Sequence, residues 1–174
     1  MNMTVFLFFR TVHIFSAVLW VGSAIFYLFF VEPTIKLIGA AGQQFMQNLV
    51  VRRKYPLYMN TVALLTILSG VVLFYYDSGG FNLRWVNTGP GLGFTIGSLV
   101  GIAVFFVGAL MIKPRGERIA ALGKEIGKAG GLPSPAQAAE LQRLDREINR
   151  VERVDFVLLT VALLTMVTAR FWSF

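Results

Sequence analysis

The chain has 174 residues, 56 % of them hydrophobic and only 14 % charged, with a net charge of +7. Its mean hydropathy of +0.66, beside the about 25 % charged residues of an ordinary soluble domain, makes this the composition of an integral membrane protein. Cysteine is absent and histidine occurs once, as His13, which excludes disulfides, thiolate metal sites, iron–sulfur clusters, c-type haem and a one-chain cage of several imidazoles.

The first predicted element is an apolar run over 4–31. It is long enough to cross a ~30 Å hydrocarbon core at roughly 20 residues per crossing and too long for a signal-peptide core, so it is read as retained. Arg10 and His13 lie inside it, where a basic or titratable side chain is costly and by default marks a functional site. Arg10, His13, Ala17, Trp20, Ala24 and Tyr27 step by three and four and so share one helix face. Lipid does not favour that face, which is expected to turn inward. Trp20 lies near mid-span, away from both interfacial belts.

Next comes a segment at 32–55 in which Phe45, Met46, Leu49 and Val50 fall on one side, followed by Arg52, Arg53 and Lys54. The pattern predicts an interfacial helix over about 36–51 with a basic end near anionic headgroups. Further apolar spans are predicted at about 56–76, 94–112 and 154–173. Segment 113–153 reads as a helical hairpin extending the last two spans, with its tip near 130–134. Ser134, Pro135 and Gln137 give a capping box that starts the second arm. Leu141, Leu144, Ile148 and Val151 give a stripe to pack on Ile119, Leu122 and Ile126.

The cations set the orientation. The loops 32–55 and 113–153 hold 13 of the Lys and Arg residues, against three elsewhere (Arg10, Arg84 and Arg170). The positive-inside rule puts both loops in the cytoplasm and both termini outside. Charge therefore falls where topology places it, which argues against nucleic acid. The expected fold is an all-α integral membrane protein: an antiparallel four-helix bundle, one domain over 1–174, in a bacterial cytoplasmic membrane.

Matching depths at ~1.5 Å per residue puts His13 level with Ser69-Gly70, with Gly97 and Gly101, and with Met166. The Gly93, Gly97, Gly101 ridge has two readings: close helix packing, or room for a planar group against His13. His13 itself is either a ligand for haem iron or another metal, or a histidine hydrogen-bonded to a neighbouring helix through Ser69 or Thr165. Met166 is a conceivable second axial ligand, though a Met in an apolar span commonly only packs. Arg10 and Arg170, with Arg84, could hold carboxylates such as haem propionates; the alternative is snorkelling to headgroups or pairing with Asp77. Met1 and Met3 are weak Cu(I) ligands.

The string Arg10-x-x-His13-x6-Trp20-x-Gly22, with Tyr27 and Pro33 following, resembles the first helix of the CopD-like superfamily. So do Arg52-x-x-x-Pro56, the late Ser69-Gly70, and the ending Asp155-x-x-Leu158…Met166-x-x-x-Arg170-Phe171. That superfamily includes the copper-resistance protein CopD, other four-span membrane proteins and, more distantly, HemJ. The resemblance implies a four-helix membrane bundle whose first-helix histidine, His13 here, is the prime site, associated in HemJ-like proteins with haem b. Residues 28–31 depart from the HemJ-like pattern. The expected function is binding of haem b or a related redox ligand in the outer half of the bundle, with His13 as ligand and Arg10, Trp20, Gly97, Gly101 and Arg170 around it. Two rivals are an accessory subunit of a respiratory or photosynthetic complex, and copper or small-solute transport. A homodimer or larger membrane assembly is compatible with each.

Overall fold

A computed structural model describes residues 2–174, with Ala40 represented by its backbone; Met1 lies outside them. The described residues form helices and no strand. Helix α1 (Met3–Phe26) runs through a wider π turn (Tyr27–Val31) into α2 (Glu32–Leu37). Helix α3 (Ala40–Gln47) and a second π turn (Asn48–Arg52) lead to α4 (Tyr55–Asp77). The short α5 (Leu83–Val86) precedes α6 (Gly89–Val107), a third π turn (Gly108–Ile112) and α7 (Lys113–Lys128). Helix α8 (Pro135–Thr168) ends in a 3-10 turn (Ala169–Phe171). Four helical stretches, Met3–Leu37, Tyr55–Asp77, Gly89–Lys128 and Pro135–Phe171, are long and apolar enough to cross a membrane.

One difference from the sequence reading lies in the first basic loop. In place of one helix over about 36–51 there are two, divided at Gly39, whose φ of +54° suits glycine and few other residues. After the break, Gly42 comes so close to the Ile35 carbonyl that no Cβ would fit there.

The long helices pack as two pairs. His13 on α1 lies against Thr66 and Gly70 on α4, and Ser23 lies against Tyr58, so residue numbers rise along α1 as they fall along α4. On the other side Gly97 meets Thr165 and Met166, Gly93 meets Ala169, and Gly89 meets the Trp172 carbonyl. Helices apolar on every face are drawn together mainly by close packing of small residues, and Gly93 and Gly97 let α6 approach α8 in that way. The two pairs meet along a thinner seam between α4 and α6. Mid-way along it Trp20, Val62, Ala63, Val104 and Leu159 form a buried cluster to which each of the four helices contributes.

In the hairpin, α7 packs on the first half of α8 with Leu122, Ile126 and Leu144 buried. The Ser134–Gln137 capping box is present. Arg115 donates to Glu147 across the two arms at 2.9 Å, and Arg143 donates to both Glu140 and Glu147.

Candidate functional site

Beyond the Trp20 cluster, towards the Asp77 end of α4, the seam opens into a cleft of about 260 Å³. His13 and Trp20 line it from α1, Thr66, Gly70 and Phe74 from α4, Gly97, Gly101 and Ile102 from α6, and Met166 from α8. Phe81 closes one end; its φ of +61° is unusual for a bulky residue. It is held there by its N–H donating to Ser78 Oγ at 2.8 Å and by contacts with the Phe74 and Tyr75 rings. Val71 and Leu99 also line the cleft and are exposed, and with Thr95 and Ser98 they give it a mainly apolar rim.

His13 is the one ionisable side chain in this lining. Its Nδ1 lies 2.8 Å from the Thr66 carbonyl oxygen, with Ser69 Oγ at 3.5 Å. A carbonyl only accepts, so Nδ1 carries the proton and donates; in the neutral ring Nε2 is then the unprotonated nitrogen with its lone pair free. The ring is fixed from below by α4, since a Cβ at Gly70 would stand 2.9 Å from His13 Cε1. A short polar patch supports the same contact: Thr66 Oγ1 donates to Ser16 Oγ at 2.9 Å, and Ser16 Oγ donates to the Val12 carbonyl at 2.7 Å. The hydrogen bond to a neighbouring helix is therefore present, made to a backbone carbonyl and not primarily to Ser69 or Thr165.

The residues singled out in the sequence divide into two groups. His13, Trp20, Gly97, Gly101 and Met166 come together around the cleft. Gly101 faces open space, whereas Gly97 is also pressed against Thr165. Arg10 is exposed and does not line the cleft. Arg170 does not line it either; its guanidinium is 3.9 Å from Asp77. Among the described residues no group of three or more His, Cys, Asp and Glu side chains is placed to hold a metal ion, and His13 is the one imidazole this chain can offer.

Two further residues stand out in the structure. Glu152 Oε2 and Asp155 Oδ1, one turn apart on α8, are buried without a hydrogen-bond partner. The charged side chains acting on Glu152 are Glu32, Lys36, Asp145 and Asp155, with Tyr27 and Tyr55 also beside it. Their acidic character is visible in the sequence, but their seclusion is a product of the packing around α8.

Fold and cleft define an all-helical protein with four helices long and apolar enough to cross a membrane and a single anchored imidazole facing an apolar recess. Comparison with known proteins returns no matching family model, no similar curated protein and no similar solved structure.

Proposed function

We propose that the protein is a four-helix, antiparallel bundle in a bacterial cytoplasmic membrane, termini outside, that binds haem b or a related planar redox ligand beside His13. The apolar surface supports insertion: Phe15, Leu68, Leu99 and Leu164 are all exposed. The uneven distribution of Lys and Arg supports the orientation. The resemblance of the first and last helices to the CopD-like superfamily supports both the bundle and the choice of His13.

One observation carries the ligand reading. A metal-binding histidine typically donates its second ring N–H to a carbonyl, which fixes the tautomer and raises the basicity of the ligating nitrogen. The His13–Thr66 bond has that form, and it leaves Nε2 as the atom offered to the ligand.

The donor chemistry fits haem iron. The space fits in part, since about 260 Å³ is below the roughly 300–1,000 Å³ of pockets that enclose a small ligand, so a porphyrin ring would be enclosed only partly. His13 would hold the group, with Trp20, Gly97, Gly101 and Ile102 as walls. The places of Arg10 and Arg170 give no support for their holding its carboxylates. A haem b bound there would supply one-electron transfer. Thr66 orients the imidazole, Gly70 leaves the space the ring occupies, and the apolar walls exclude water.

The test is an absorption spectrum of detergent-purified protein, oxidised and dithionite-reduced, before and after haemin addition, beside His13→Ala. The reading expects a Soret band that sharpens on reduction and is lost in the variant. A featureless spectrum after haemin addition would overturn it and favour the accessory-subunit role.

A further inference from the structure

A second cleft, of about 400 Å³, lies between α4 and the α6–α7 helix at the other end of the seam. Leu57, Asn60 and Leu64 line it from α4, and Phe105, Ala109 and Lys113 from the opposite wall. Leu57, Leu64 and Phe105 give this open groove a mainly apolar lining, which also includes Thr61, whose hydroxyl donates to the Leu57 carbonyl, while Lys113 adds a cation. The nearest anion to that ammonium is Glu117 at 4.0 Å, the outer limit of an ion pair. Asn60 gives its side-chain N–H to the Pro56 carbonyl at 2.9 Å, which leaves its Oδ1 as an acceptor on the cleft wall.

Arg115 and Arg143 on the hairpin are engaged by Glu140 and Glu147. Arg52, Arg53 and Lys54 are all exposed, and among the described residues none of them makes an ion pair. Lys54 precedes Leu57 by three residues, but the basic side chain that lines the cleft itself is Lys113. An occupant that matches both features has a long apolar chain and a negatively charged head. Basic recesses between apolar helices near the cytoplasmic boundary favour anionic headgroups in this way.

We propose that this cleft binds one anionic phospholipid, with its phosphate at Lys113, a headgroup hydroxyl on Asn60 Oδ1 and an acyl chain along Leu57, Leu64 and Phe105. The inference rests on the membrane reading above and is independent of any ligand at His13.

The experiment uses the full chain in nanodiscs of equimolar phosphatidylglycerol and phosphatidylcholine, with retained lipid counted by native mass spectrometry. One phosphatidylglycerol is expected to be retained in several-fold preference to phosphatidylcholine, and excess inorganic phosphate should not displace it. Lys113→Gln should abolish the preference, and Ala109→Phe, which fills the groove, should lower retention of both lipids. Lys124→Gln, exposed on α7 and outside the cleft, should change neither. Circular dichroism confirms that each variant keeps its helices, and Ala109→Phe tests the groove should Lys113→Gln fail to fold. Equal retention of the two lipids, displacement by phosphate, or a preference untouched by Lys113→Gln would overturn the proposal. Failure of every variant, and of the native chain, to enter nanodiscs would overturn the membrane reading itself, an outcome distinct from loss of selectivity in an inserted protein.

Discussion

His13 and Gly70 are in direct register across α1 and α4: a Cβ added to the glycine would stand 2.9 Å from His13 Cε1 and 3.1 Å from Nδ1. The imidazole can reach the Thr66 carbonyl because the residue one turn further along α4 has no side chain. Gly70→Ala should therefore push the ring off its acceptor. We predict a loss of about 1–3 kcal/mol of stability, as for overpacked sites, and weaker haemin binding at His13. Gly101→Ala is the contrasting case, because nothing lies within 4 Å of its Cβ position. It should gain about 0.8–1 kcal/mol from helix propensity while narrowing the same cleft. Thermal melts of the two variants in one detergent check the opposite signs; destabilisation by both would mean that the open space beside Gly101 is filled in solution.

Trp20→Ala should be the most damaging single change in the seam. The indole is 7 % exposed and packs with Val62, Ala63, Val104 and Leu159, one contact set shared by both helix pairs. Large-to-small changes at such sites cost about 3–5 kcal/mol. The expected signature is separation of the pairs with each pair's helices kept, read as a lost near-ultraviolet signal with little change in the far ultraviolet. A native-like melt would show that the cluster does not join them.

Glu152→Gln should stabilise the protein. Its Oε2 is buried without a partner beside three other acids and one lysine, so the carboxylate is poorly compensated. Removing the need to bury or neutralise that carboxyl group is expected to contribute about 1 kcal/mol, or roughly 2–4 °C for a chain of this size. A lower melting temperature in the variant would mean that the carboxylate is held by a group acquired in the membrane.

The hairpin supplies the pH prediction. Glu147 is held below the usual carboxylate value of 4.5, first by the hydrogen bond from Arg115 and then by the charges of Arg143 and Arg115. Because its folded value is depressed, its stabilisation is complete above 4.5 and is lost as pH falls through the lower folded value. Spin labels at Ala121 and Ala139 should report one fixed distance between the arms from neutral pH down to about 5, then broadening in stronger acid. Glu147→Gln should broaden that distance at neutral pH. An unchanged distribution in acid would assign the hairpin's cohesion to Leu122, Ile126 and Leu144 alone.

The apolar stretches were legible because a crossing length of hydrophobic residues has few other uses, and the restart at Ser134 because a capping box is a local chemical pattern. The break at Gly39 was not, since the amphipathic spacing continues across it and only the backbone angle reveals the division. The Arg170–Asp77 contact could be named in advance as an alternative to propionate binding, because both residues fall at the same level of the helices. The partner of His13 was harder: Thr66 contributes a backbone carbonyl, a group that every residue carries and no sequence pattern marks. Its hydroxyl, which the sequence does display, is turned to Ser16.

The two-pair architecture bears on how the molecule is made. Helices α1 and α4 complete their mutual contacts before any residue of α6 is needed, so the first half of the chain can assemble while the second is still on the ribosome. Between the halves run the turn containing Gly79, Gly80 and Phe81, all at positive φ, and the short α5. Severed there and co-expressed, the halves have a defined mating surface in the Trp20 cluster, and what they recreate on reunion is the recess beside His13, a site that neither half possesses by itself.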